Sequence, residues 1–230
     1  MGRDRRLLQA GLIHHIVNRG NNRQAIFLEP ADQRHYLRCL YHYKKKYVFH
    51  LFAFCLMTNH VHLLLRVSER GTVSKIMQSL TVAYNRWYNF KYKSSGHVWQ
   101  GRFSSSLVSD DEYLLTAMQY IEQNPLRAGM VDNVGDYLFS SYRLNVRQAS
   151  SKLIDRIENP AFCALGEDEL ARCLAYREMM RQHLDEDCLK NVRKSLDGNG
   201  GYMSERFRRQ REEMLPKKRR RGRPRNIINA

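Results

Sequence analysis

A chain of 230 residues with 43% hydrophobic and 10% aromatic content can bury a sizeable core, which excludes a wholly disordered protein. Its formal net charge of +16 and a pI near 9.9 create a long-range field that draws in polyanions, so nucleic acid is the expected partner. No run approaches the ~20 apolar residues of a bilayer span, and five widely spaced cysteines without a CxxC pair argue against a disulfide framework or cysteine zinc site; a cytoplasmic, nucleoid-associated protein with reduced thiols is expected.

In chain order, residues 12–17 are apolar and β-branched and stop at the polar turn Asn18-Arg19-Gly20-Asn21-Asn22, which predicts a first strand and its loop. Pro30 and Asp32 open a helix with Tyr36, Leu37, Leu40 and Tyr41 at helical spacing, and Lys44-Lys45-Lys46 suit its C-terminal end. Two apolar runs, 47–57 and 60–67, flank Thr58-Asn59 and predict an antiparallel hairpin. Val73, Ile76, Met77, Leu80, Tyr84 and Trp87 draw one stripe down a long second helix. A loop over 94–101 leads to a fourth strand at 103–108, and Asp110-Asp111-Glu112 mark the start of a helix over 113–123.

The order β-α-β-β-α-β is that of the ferredoxin-like α+β unit, an antiparallel sheet with helices on one face and the other face available for a site. Beyond Asn145 the chain is more polar, with helices expected at 160–165 and 167–183 and a glycine-rich stretch at 197–201. This divides the chain into a main domain (1–145), an accessory helical region (146–215) and a basic tail (216–230) expected to be disordered.

The chemistry-bearing residues fall in two places. His60-Val61-His62 begins a strand, whose period of two turns both imidazoles to one side and Val61 to the opposite layer. Two ordinary strand histidines would look the same, so the pair needs a third member. Tyr120 and Asn124, four residues apart on a helix, share a face, and an amide oxygen beside two imidazoles suits Mg²⁺ or Mn²⁺. Taken singly, Tyr120 reads equally as a core aromatic and Asn124 as a helix end before Pro125. Tyr113 competes as a nucleophile but has Ala117 four residues on, so Tyr120 is preferred. Arg19, Asn21 and Arg23 on one loop, and Trp99, Gln100 and Arg102 on another, combine forked donors with an aromatic platform and are the DNA-binding candidates; the alternative for each is a solvated loop residue, with Trp99 as a packing anchor.

Four blocks together resemble the single-tyrosine HUH transposases, and among them the REP-associated tyrosine transposases of bacteria. They are His14-His15-Ile16-Val17-Asn18-Arg19-Gly20-Asn21; Met57-Thr58-Asn59-His60-Val61-His62; Gly96-His97-Val98-Trp99-Gln100-Gly101-Arg102-Phe103; and Tyr120-Ile121-Glu122-Gln123-Asn124-Pro125, with Arg127-Ala128-Gly129 and Ser140-Ser141-Tyr142 following. The resemblance covers about residues 11–145. It implies a ferredoxin-like nuclease domain, a divalent metal on His60 and His62 with Asn124 as a third ligand, a Tyr120 nucleophile, and single-stranded DNA hairpins as substrate. The implied reaction is metal-dependent nicking through a 5′-phosphotyrosine followed by strand transfer, by a monomer or homodimer.

The tail segment Arg221-Gly222-Arg223-Pro224-Arg225 resembles the AT-hook, whose arginines enter the minor groove of A·T-rich duplex, and reads equally as a source of non-specific phosphate contacts. Two other functions fit parts of the pattern. A non-catalytic DNA- or RNA-binding protein of ferredoxin-like fold would use sheet aromatics to stack bases, and a metal-dependent hydrolase would use water as nucleophile.

Overall fold

The computed structural model describes residues 11–68, 72–109, 112–148, 151–197, 201–202 and 209; the basic tail with Arg221, Arg223 and Arg225 lies outside them. Strands β1 (Ile13–Arg19), β2 (Phe49–Met57), β3 (His60–Val67) and β4 (Ser104–Val108) form an antiparallel sheet in the order β2-β3-β1-β4. This is the expected ferredoxin-like arrangement. A short fifth strand, β5 (Gly201–Tyr202), adds in parallel to β4 at the end of the glycine-rich stretch.

Tertiary pairing moves several boundaries. β1 runs on through Asn18 and Arg19, read as turn residues, because they pair with Val61 and His60 of β3. Helix α1 (Pro30–Tyr47) takes in Tyr47, expected at the start of a strand, and ends at Val48 in a left-handed conformation (φ 46°).

Strand alternation feeds two cores. On one face, Val61, Leu63, Leu65 and Val67 of β3 meet Tyr36 and Leu40 of α1 and Val73, Ile76, Met77, Leu80 and Tyr84 of α2 (Thr72–Tyr92). The opposite face, expected to be open, is largely covered. Leu114, Ala117, Met118 and Ile121 of α3 (Glu112–Glu122) pack there with Phe162 of α6 (Pro160–Cys163), Tyr176 of α7 (Glu169–Met179) and Leu189, Val192 and Leu196 of α8 (Glu186–Asp197). Short helices α4 (Asn124–Arg127) and α5 (Tyr142–Asn145) lie between them in sequence. The region beyond 145 therefore shares one core with the sheet. Polar composition hid this, because only one stripe of each C-terminal helix is apolar. Among the described residues no helix is long and apolar enough to cross a membrane, and all five cysteines are free.

Two buried carboxylates tie the layers together. Glu122, fully buried at the end of α3, accepts hydrogen bonds from Ser141 Oγ (2.5 Å), Asn145 Nδ2 (2.7 Å) and the Tyr176 hydroxyl (2.8 Å). Burial pushes its pKa up to about 7 against those three donors. Asp32 takes the backbone N–H groups of Leu28 and Glu29 at the start of α1, and also the Tyr92 hydroxyl and Lys91 ammonium from the end of α2. Burial would raise its pKa, but the hydrogen bonds from Lys91, Tyr92 and the backbone outweigh that and hold it below the usual carboxylate value of 3.8.

A depressed folded-state pKa contributes stability that is present above the unfolded value and lost as pH falls through the folded one. Asp32→Asn should therefore cost about 2 kcal/mol at neutral pH, by removing one partner of a partly buried ion pair and a helix cap. Urea unfolding at pH 7 and pH 3 checks this: the gap between wild type and variant should narrow at pH 3. A gap independent of pH would rule out the ionised carboxylate as its source.

Candidate active site

The site begins with a glycine that has no room for a side chain. A Cβ on Gly20 would lie 2.4 Å from the Gln24 carbonyl oxygen and 2.6 Å from Ile26 Cγ2, so only glycine lets the loop after β1 fold this closely. Gly20 N–H donates to the Asn59 carbonyl (2.8 Å), and Asn59 Nδ2 donates to the Arg23 carbonyl (2.9 Å). The loop passes through a 3-10 turn at Asn21–Arg23 in which Asn22 and Arg23 both take positive φ, a costly conformation for residues with a Cβ. Held in this way, Asn59 offers Oδ1 to His60 Nδ1 at 2.6 Å.

His60 and His62 lie on one side of β3 with ring centroids 5.0 Å apart, while Val61 is buried in the opposite core. Each ring has its Nδ1 engaged. His60 Nδ1–H donates to Asn59, which leaves Nε2 as its free lone pair, and His62 Nδ1 lies 2.9 Å from His15 Nε2. For His62 also to offer Nε2, its Nδ1 must carry the proton and donate to His15; such outer hydrogen bonds orient ligating imidazoles. Burial lowers the pKa of His15 to about 3 and of His60 to about 4. Burial, followed by the nearby His60, His15 and arginine charges, lowers that of His62 well below its usual value. All three rings are neutral at neutral pH, the form that binds metal.

Tyr120 of α3 faces the same place, its ring centroid 6.0 Å from His62 and 5.9 Å from His15. Arg127 clamps it from behind: its guanidinium sits 4.6 Å over the Tyr120 ring and donates to the Tyr120 carbonyl. Asn124, at the head of α4, donates its Nδ2 to the Ile121 carbonyl (3.3 Å), turning its amide oxygen the other way. Tyr113, the competing tyrosine, packs against the core and does not line the cleft.

These residues border one cleft of about 530 Å³, walled by Arg19, His60, His62, Gln100, Arg102, Tyr120, Asn124 and Arg193, among others. Among the described residues no carboxylate lines it. Its donor set, two neutral imidazoles and an amide oxygen, fits a divalent ion that keeps places for water or phosphate oxygen. No cluster of three or more His, Cys, Asp or Glu that could hold a metal occurs among the described residues.

The structure thus brings together His60, His62, Tyr120, Asn124, Arg19, Gln100 and Arg102. Asn21 and Arg23 are exposed on the neighbouring turn. Trp99, proposed as a base-stacking platform, is only 6% exposed, with Tyr36 and Tyr84 packed about its ring, so it is a core residue with no face to offer a base. The sequence reading missed His15, Arg127 and Arg193. The period of two in β1 could have placed His15 beside His62, whereas nothing local marks Arg193 on α8.

A family model described as transposase, IS200 like, matches residues 9–124, half of the chain. The chain belongs to the IS200-like transposase family. A Haemophilus influenzae protein named as a REP-associated tyrosine transposase is 31% identical over 116 residues, which cover 44% of this chain and 63% of that relative. The chain thus spans less than two thirds of the relative's length. The solved structure of a REP-associated tyrosine transposase bound to a REP hairpin aligns with a TM-score of 0.54 at 20% identity, over 67% of this chain and 94% of that one. That likeness supports the ferredoxin-like fold. The family match ends at Asn124, so Arg127 and Arg193 lie beyond it.

If His15 orients His62, His15→Phe should lower Mn²⁺ affinity about 10- to 100-fold while the metal-free protein unfolds at nearly the wild-type temperature. Calorimetric titration with Mn²⁺ alongside thermal melts makes the comparison. Unchanged affinity would show that the His15–His62 hydrogen bond does not serve metal binding.

Proposed function

We propose that this IS200-like transposase nicks single-stranded DNA at hairpin sequences and rejoins strands through a 5′-phosphotyrosine on Tyr120. The observation that carries the reading is the convergence of Tyr120, two neutral imidazoles and the Asn124 amide on one cationic cleft that no carboxylate lines among the described residues. A phosphodiester is the ligand that such a cleft accepts most readily, and the hairpin bound in the related structure suggests the substrate class.

His60 and His62 through Nε2, with the Asn124 oxygen, would hold Mg²⁺ or Mn²⁺. When bound, that ion supplies Lewis-acid polarisation of a non-bridging phosphate oxygen. Tyr120 Oη attacks phosphorus: the Oη–P bond forms as the P–O3′ bond breaks, the phenolic proton passes to solvent, and the 3′ oxygen takes one up. The phosphotyrosine conserves the bond energy, so a second 3′-hydroxyl can reverse the step on another strand without a nucleotide cofactor. Arg127 keeps the Tyr120 ring in place, and Arg19, Arg102 and Gln100 offer donors to neighbouring phosphates and bases. Asn21 and Arg23 extend this surface.

Incubation with hairpin DNA from the protein's own genomic flanks and Mn²⁺, followed by a denaturing gel, tests substrate and chemistry together. Wild type should form a covalent adduct, and mass spectrometry should place it on the peptide containing Tyr120. Tyr120→Phe should abolish the adduct and retain Mn²⁺ binding, whereas His60→Ala and His62→Ala should lose both. Asn124→Ala should be slower and partly rescued by high Mn²⁺, because water replaces an amide oxygen more easily than an imidazole. Cleavage without an adduct would favour a water nucleophile instead.

The tail would add an anchor on DNA, either on phosphates or in an A·T-rich minor groove through Arg221, Arg223 and Arg225. Its seven Lys and Arg side chains displace counterions, so removing residues 216–230 should weaken binding and flatten its salt dependence while leaving cleavage at saturating protein intact. Binding titrations at several salt concentrations read this directly; equal slopes would dismiss the anchor.

A further inference from the structure

One wall of the cleft comes from the far end of the chain. α8 starts under an Asp185 cap, with Oδ1 accepting from Cys188 N–H at 2.6 Å, and buries Leu189, Val192 and Leu196 in the core shared with β1, β4 and α3. That stripe fixes the helix axis beside the sheet. Arg193 and Leu196, three residues apart and so neighbours on the helix surface, both border the cleft that holds Tyr120.

Arg193 has the setting of a cation awaiting an anion. It takes part in no ion pair among the described residues, whereas Lys190 on the same helix pairs with Asp187. Among the described residues no acidic side chain lines the cleft that it borders. Its charge also reaches Arg127, whose pKa is lowered by burial and lowered further by Arg193. The two like charges repel each other, and a phosphodiester oxygen bound in the cleft beside Arg193 would relieve that repulsion.

We infer that α8 is part of the active site and that Arg193 binds the phosphate attacked by Tyr120. This deepens the nuclease reading and rests on it. As a forked donor, Arg193 would hold two phosphate oxygens while charge builds on them, and would continue to hold the phosphotyrosine until a 3′-hydroxyl returns. It would also make the region after residue 145 necessary for chemistry as well as for packing.

The test uses the full-length chain, hairpin DNA and Mn²⁺, with wild type, Arg193→Gln, Arg193→Lys and Lys194→Gln compared. Lys194 is the exposed neighbour that does not border the cleft, so its loss controls for net charge. Two quantities are measured: the single-turnover rate of adduct formation at saturating DNA, and the Kd of the hairpin. Arg193→Gln should slow adduct formation about 10- to 100-fold with little change in Kd, as expected for a donor that acts on developing charge. Arg193→Lys should recover part of the rate, and Lys194→Gln should match wild type. A full rate in Arg193→Gln, with or without weaker binding, would overturn the assignment, as would an equal loss in Lys194→Gln. Failure of wild type itself to form an adduct would instead remove the nuclease reading beneath it.

Discussion

The site depends on the register between β1 and β3. Val17 pairs with His62 and Arg19 with His60, so the alternation of two adjacent antiparallel strands decides which side chains meet. A slip of one residue would send both imidazoles into the apolar layer and Val61 into the cleft. The register is held by the core beneath: Val61, Leu63, Leu65 and Val67 cannot be turned outward without exposing the layer that packs on α1 and α2. Chemistry on one face is thus secured by hydrophobic burial on the other.

Support around the imidazoles follows the same economy. His15 shares its face of β1 with Val17 and reaches His62, while Asn59 in the tight β2–β3 turn reaches His60. Both contacts consume Nδ1 and direct Nε2 to the cleft, so two different elements impose one orientation on two rings. The loop after β1 completes the arrangement by closing over Asn59, where Gly20 leaves no space for anything larger.

Much of this could be read before the fold was known. The spacing of His60 and His62 on a strand, and of Tyr120 and Asn124 on a helix, is local geometry, and local geometry is what sequence periodicity encodes. The ferredoxin-like order followed from element types alone. Of the two readings of Trp99, the packing anchor holds, because its burial is set by Tyr36 and Tyr84 on two other elements, whereas its neighbours Gln100 and Arg102 are exposed. The role of the C-terminal region was hidden for a similar reason. α8 shows its apolar stripe as an ordinary amphipathic helix, and only the assembled sheet reveals which surface it covers and that Arg193 borders the cleft.

The carboxylate of Glu122 bears on where this protein could be cut. Two of its partners stand at Ser141 and Asn145 and the third at Tyr176 of α7, all after the segment 9–124 that carries the family likeness. A fragment trimmed to that segment would keep the histidines and Tyr120 but strand an acidic group in an apolar layer with none of its donors, two residues from Tyr120. In this chain the segment that bears the family's signature is therefore not the smallest unit able to hold its own shape.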